Sequence, residues 1–198
     1  MRIVPYFFKM LLLAPLGVLI WGIFRPWRQK QLVRQGLVAA PYREGTLLLF
    51  FVFLSGLLGL TLTPIGFWNG IFAFAPFQGE INLIPFWESW ALFRYYAAHG
   101  MWQAILINFL GNIVMFVPVG LFASLLMDKP RWWKSTLCAL GLSLFIEIFQ
   151  LFVSRGTDVD DVILNTLGGL LGHGLFVWLR RLNPEFVKHC ARLRKGSA

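Results

Sequence analysis

Four runs of this sequence, residues 47–63, 102–127, 132–153 and 162–179, are each long and apolar enough to cross a bilayer as a helix. A spanning helix needs about 20 mostly apolar residues, and four such runs leave little of the chain for anything else. Composition agrees. Of 198 residues, 58% are hydrophobic and 14% charged, with a mean hydropathy of +0.67. A soluble domain carries about 45–50% apolar and about 25% charged residues. A water-soluble core of this size could not bury so much apolar surface. This excludes a soluble enzyme, a disordered tail and a secreted disulfide scaffold. The two cysteines, Cys138 in an apolar run and Cys190 in a basic tail, make no disulfide framework.

A fifth apolar run, residues 5–24, is interrupted by Lys9 and followed by a basic stretch, with no small-residue cleavage site. It reads as a transmembrane helix rather than a cleaved signal peptide, with an interfacial helix as its rival. The expected fold class is all-α: a polytopic helix bundle of about five transmembrane helices. Three divisions follow along the chain. Residues 1–45 hold the first hydrophobic helix and a basic loop, 46–180 the main membrane domain, and 181–198 a basic tail.

The basic residues orient the bundle. Fourteen of the eighteen lysines and arginines fall in segments 25–45, 128–134 and the tail from residue 180. The positive-inside rule assigns these to the cytoplasm. Five spans then give an extracytoplasmic amino terminus and a cytoplasmic carboxyl terminus. The net charge of +9 is thus topological, with anionic headgroups as its natural partners. Nucleic acid is excluded as a partner, because the charges flank membrane helices.

Residues 64–101 form the longest stretch between spans, on the outer side. They contain Phe67, Trp68, Phe72, Phe74, Phe77, Phe86, Trp87, Trp90, Phe93, Tyr95 and Tyr96, broken by Pro64, Pro76 and Pro85. Aromatic rings favour the headgroup level. The segment reads as an interfacial or re-entrant cap over the outer mouth of the bundle, or as a simple aromatic anchor.

Polar groups inside spans are costly and tend to face the bundle interior. Asn108 and Asn112 share one helix face, as do Glu147 and Gln150. The last span opens with Arg155, Asp158, Asp160 and Asp161, with Asn165 one turn further on. Given the alternating topology, all these groups lie in the outer leaflet. Asparagines can join helices by hydrogen bonds, and one aspartate can cap a helix amino terminus. Three aspartates exceed what a cap needs, and Glu147 in an apolar span calls for a partner, Arg155 being the nearest cation in sequence. Gly168 and Gly172 share the face of Asp161 and Asn165 and signal close packing there. His173 lies in the inner half as a packing residue, and His99 near the outer interface is a weak site candidate.

An ordered set of motifs covers residues 80–175: Asn82-Leu83-Ile84-Pro85-Phe86; Asn108 with Asn112-Ile113-Val114-Met115-Phe116-Val117-Pro118-Val119-Gly120; Ile146-Glu147-Ile148-Phe149-Gln150; and Arg155-Gly156-Thr157-Asp158-Val159-Asp160-Asp161, continuing through Asn165 to Gly169. In order and spacing the set resembles the VanZ-like family. That family takes its name from a protein linked to low-level teicoplanin resistance. The resemblance implies a bacterial membrane protein of the cell envelope. It also points to a wider group directed at lipids, with phosphate-containing headgroups and undecaprenyl-linked cell-wall precursors among the proposed substrates.

Three functions are consistent with these residues. The first is an enzyme on a lipid headgroup, a phosphoesterase or headgroup transferase. Glu147 or Asp161 would serve as base or nucleophile, and Arg155 as a phosphate clamp. Asn82, Asn108, Asn112, Gln150, Asp158 and Asn165 would bind and orient the substrate. Magnesium, held by Asp158, Asp160 or Asp161, is the one candidate cofactor, although the spacing matches no closed metal motif. The second is a non-catalytic binder of a lipid-linked precursor or a lipid-tailed drug. The third is a transporter, disfavoured by the scarcity of polar groups in the inner halves and the lack of an inverted repeat. The oligomeric state is not readable.

Overall fold

A computed structural model describes residues 9–64, 81–153, 155–190 and 192–194. Five helices in it are long and apolar enough to span a membrane, so the chain is a multi-pass membrane protein with an all-α bundle. The first is the stretch Lys9–Arg34, of which Ala14–Arg34 is helix α1. A short strand β1 (Leu37–Ala39) leads into α2 (Pro41–Leu62). Strand β2 (Ile81–Asn82) precedes a short helix α3 (Trp87–Ala98). Then come α4 (Trp102–Leu126), α5 (Trp132–Gln150), strand β3 (Thr157–Asp158) and α6 (Val159–Leu182). The chain closes with α7 (Pro184–Cys190) and β4 (Arg192–Arg194). The expected residues 5–8 of the first span, and Phe67, Trp68, Phe72, Phe74 and Phe77 of the aromatic segment, lie outside the described residues.

Helix α6 is the axis of the bundle, lying against α4 along one side and α5 along another. Glycine makes the approach possible. A β-carbon on Gly168 would strike the carbonyl of Ile113, and one on Gly172 would meet the backbone of Val117, Gly120 and Leu121. On a neighbouring face, a β-carbon on Gly169 would collide with Ala139 of α5. The four-residue step from Gly168 to Gly172 thus presses α6 onto the backbone of α4. This is the close-packing mode that apolar surroundings favour, since lipid gives helices no hydrophobic reason to associate. Beside the seam, Leu57, Phe116, Val119, Ala139 and Ile146 form a filled core shared by α2, α4 and α5. Helix α1 rides outside, with only Gly17 buried.

The two ends of the bundle differ in chemistry. At the basic end, Glu44 pairs with Arg28 at 3.1 Å and with Arg25 at 3.8 Å, tying α1 to α2. Arg43 is buried and donates to the carbonyls of Leu126 and Cys190, both at 3.0 Å. Leu126 is the last residue of α4, where unsatisfied carbonyls favour a cation. Helix α7 packs against α2 and α6, and β4 pairs antiparallel with β1.

These contacts correct the expected loop at 25–45. Most of it is helical, since α1 runs on to Arg34 and α2 starts at Pro41 rather than at residue 47. Proline at the first helical position is favourable, and Arg43 and Glu44 find partners that let the helix continue beyond its apolar part. Nor is the basic tail a free appendage, since α7 and β4 fold back onto the bundle.

The glycine seam gives a paired test. Gly172→Ala forces a methyl into the α4 backbone and should cost about 1–3 kcal/mol through overpacking, seen as a lower melting temperature in detergent. Gly174→Ala meets no atom within 4 Å. It should leave the melting temperature unchanged or raise it slightly, because alanine favours helix. Equal effects at the two positions would contradict the seam.

Candidate functional site

The opposite end of the bundle is built around the amino terminus of α6. A helix start leaves backbone amides without partners, and Asp158, the N-cap, accepts from the Asp160 amide at 2.9 Å. The strand that delivers Asp158 pairs in parallel with β2, in the register Ile81 with Thr157 and Asn82 with Asp158. Asn82 is buried; its Nδ2 donates to Asp158 Oδ1 at 3.1 Å, and its Oδ1 accepts from the Ile84 amide at 3.1 Å. Asp160 is 2% exposed. One of its oxygens accepts from the Phe86 amide at 2.8 Å and the other from the Ser89 hydroxyl. Phe86 has the left-handed φ of 63° at the start of α3, which turns its amide towards that carboxylate.

Glu147, on α5, is 4% exposed and accepts from the Asp158 amide at 3.1 Å. Its own carbonyl accepts from the Thr157 hydroxyl at 3.1 Å. Asp161 accepts from Asn112 of α4. Asn165 is 5% exposed, and its Nδ2 donates to the Ser143 hydroxyl of α5 at 2.9 Å. Gln150 donates to the Thr61 carbonyl at 3.1 Å. Arg155 Nη1 donates to the carbonyls of Leu60 and Thr61, both at 2.8 Å. These carbonyls belong to the last turn of α2, where a cation is favoured.

Two adjoining cavities open among these groups. The smaller, about 350 Å³, has Asn112, Glu147, Gln150, Arg155, Asp161 and Asn165 on its walls and Phe116 and Ile146 among its apolar residues. The larger, about 790 Å³, is a mainly apolar groove along α4, with Ser89, Asn108, Asn112, Arg155, Asp158 and Asp161 as its polar residues. Leu60, Asn112, Met115, Arg155 and Asp161 line both, so pocket and groove adjoin across these residues.

The expected site residues therefore fall into three groups. Asn112, Glu147, Gln150, Arg155, Asp161 and Asn165 meet around one pocket. Asn108 and Asp158 line the groove, with Asn108 3.4 Å from the Tyr96 hydroxyl. Asn82 and Asp160 line neither cavity and fasten the segment before α3 to α6. The carboxylates of Asp158, Asp160 and Asp161 turn to different partners, and among the described residues no group of three or more His, Cys, Asp or Glu could hold a metal ion. Arg155, expected as a phosphate clamp, spends Nη1 on α2. Of the aromatic segment, α3 has no buried residue and rests on α4 through Phe93 and Phe109. His99 stacks on Tyr95 and lines neither cavity.

Ser89 was not singled out in the sequence, and a lone serine in an aromatic stretch offers no pattern that would expose it. Also unforeseen is a polar knot towards the basic end. Ser124 of α4 lies 2.7 Å from Ser135 of α5 and 3.0 Å from His173 Nδ1 of α6. Both serines are buried, so the knot joins three helices.

Burial holds the Asp158 carboxyl above the ordinary aspartate range. The amide of Asp160 and the side chain of Asn82 oppose that shift, and the charge of Asp160 adds to it. A group with a raised folded pKa holds its proton more tightly when folded. Its contribution to stability is full in acid and is lost as pH rises from the ordinary value through the raised one. Asp158→Asn keeps an oxygen for both donors and remains a good N-cap, but does not titrate. It should raise the melting temperature at about pH 7 and change it little at about pH 4. An equal gain at both would disprove the shift.

A family model described as VanZ/LLP1 matches residues 50–180. Protein VanZ of Enterococcus faecium is 31% identical over 129 residues, 65% of this chain and 71% of that protein. No solved structure matches the chain.

Proposed function

The chain belongs to the VanZ/LLP1 family, and from that premise we propose that it acts on the headgroup of a lipid-linked amphiphile in the outer leaflet. The adjacency of the apolar groove and the carboxylate and carboxamide pocket, which share five wall residues, carries this reading. An amphiphile needs those two environments side by side: an apolar channel for its chain and convergent polar groups for its head. The positive-inside rule orients the pocket outward, because the basic segments lie at the other end. Phosphate-containing lipids and lipid-linked cell-wall precursors are the substrates we favour. Changing or holding such a precursor would alter the surface that a glycopeptide drug meets, which is how we connect the site with teicoplanin resistance.

The chemistry we favour is headgroup transfer or hydrolysis with Glu147 as the proton-handling group and Asp161 beside it. Glu147 is held by the Asp158 amide through one oxygen, which fixes its direction. Asn112, Gln150 and Asn165 orient the head. A non-catalytic binder is the second reading. The observation in its favour is Arg155, whose Nη1 already serves Leu60 and Thr61.

The test is incubation of the purified chain in nanodiscs with a panel of phospholipids and polyprenyl phosphates, following lipid masses. A new lipid species should form, and Glu147→Gln should slow its formation at least about 100-fold, the usual loss for a general acid or base. Selective retention of one lipid without a mass change favours the binder. Turnover unaffected by Glu147→Gln would remove Glu147 from the chemistry. Absence of both turnover and retention would overturn the lipid reading itself.

A further inference from the structure

We infer that Gly111 sets how wide a lipid can be where its chain meets its head, and that the groove suits a chain that branches there. Two chains on a glycerol and a methyl-branched isoprenoid chain both have that shape. This deepens the lipid reading above and rests on it.

Glycine inside a helix costs about 1 kcal/mol relative to alanine. At Gly120, Gly168, Gly169 and Gly172 packing offsets that cost, because a β-carbon there would strike a neighbouring helix. A β-carbon on Gly111 meets no atom within 4 Å, so packing does not require glycine there. The same holds at Gly22, Gly45, Gly141 and Gly174, but these line neither of the two cavities. Gly111 is on the wall of the groove. The room left by its missing side chain therefore belongs to the groove.

The place of Gly111 on α4 says which part of a ligand uses that room. Asn108, Gly111, Asn112 and Met115 have the spacing of one helix face. Asn112 and Met115 line both cavities, and Asn108 lines the groove. Gly111 is one residue from Asn112, a rise of about 1.5 Å along the axis. With the head among the carboxyl and carboxamide groups of the pocket, the first carbons of the chain pass Gly111. Leu60 of α2 and Met10 of the first span also line the groove, so α4 faces other helices across it. Glycine on α4 widens that gap without moving a helix. A straight alkyl chain leaves the extra room unfilled and forgoes the dispersion contacts available there, whereas a branch or a second chain gains them.

The test is binding of three phosphate-headed probes to the full chain in nanodiscs, read by native mass spectrometry: a diacyl phosphatidate, a polyprenyl phosphate and a straight-chain alkyl phosphate. Gly111→Leu should weaken binding of the phosphatidate, the polyprenyl phosphate or both by about tenfold or more, the scale of overpacking a filled site, and change the alkyl phosphate by less than about threefold. Gly111→Ala should fall between wild type and Gly111→Leu. Gly141→Leu, on a helix face that lines neither cavity, should change none of the three. Which branched probe is lost separates a glycerol-based lipid from an isoprenoid one. Leucine favours helix over glycine, so the melting temperature of Gly111→Leu should hold or rise, which separates a lost ligand from a lost fold. A lower melting temperature would show a packed position and overturn the inference. Wild-type binding of the straight chain alone, equal weakening of all three probes by Gly111→Leu, or weakening of none would overturn it too, and each leaves the lipid reading standing. Binding of no probe by wild type, with neither turnover nor retention in the panel above, would remove both.

Discussion

The amino terminus of α6 sets the problem that this end of the molecule solves. Its first amides have no partners within the helix, and it begins among apolar spans where water is scarce. The sequence answers with three aspartates, and each fastens something different. Asp158 caps the helix and holds Asn82. Asp160 holds the Phe86 amide and Ser89, and so fixes the start of α3. Asp161 reaches across to Asn112 of α4. Glu147 then holds the Asp158 amide from α5. Four carboxylates thus connect α3, α4, α5 and the strand pair to a single helix start, as apolar surroundings demand of polar backbone.

That network depends on how closely the helices approach below it. Gly168 and Gly172 lie on the same face of α6 as Asp161 and Asn165, and they bring α4 to within backbone contact. Short side chains such as Asn112 and Asp161 can meet only across so narrow a gap. The same closeness, further along, lets Ser124, Ser135 and His173 bond across three helices. The core residues between these two polar layers, Phe116 and Ile146 among them, are almost fully enclosed. The pocket therefore has a packed apolar floor, and the polar residues above it stand on helices fixed by that floor.

The spans were legible because apolar length is read directly from composition, and the five expected helices all appear. Their ends were not. Hydropathy marks the part of a helix that meets lipid. It does not mark where the helix stops when Arg43 finds the Cys190 carbonyl 147 residues away, or when Arg28 finds Glu44. At the site, alternating spans told that Asn108, Asn112, Glu147, Gln150, Asp161 and Asn165 share one depth; all but Asn108 line one pocket, and Asn108 lines the adjoining groove. What each polar group does was less legible. Arg155 turns to carbonyls, which every residue carries, and Asp160 turns to a backbone amide and a lone serine. Partners of that kind leave no trace in a motif. A helix start with three neighbours to secure uses its three aspartates separately, which their adjacency in sequence does not show.

Arg155 is central to how the pocket is built. A guanidinium directed wholly into the pocket would neutralise its carboxyl groups and invite an anion. Here Nη1 is turned to the last carbonyls of α2, beside the Gln150 bond to the same Thr61 carbonyl. The cation thereby closes the end of one helix and joins α2 to the turn after α5. The adjoining groove is apolar for most of its length. On the lipid reading proposed above, a ligand whose chain lies in that groove need not leave the bilayer for its head to reach Glu147. Only the head is desolvated, and it is met by groups already held in place. On that reading binding spends little on reorganisation, because Glu147, Asp161 and the carboxamides beside them are already held by neighbouring helices.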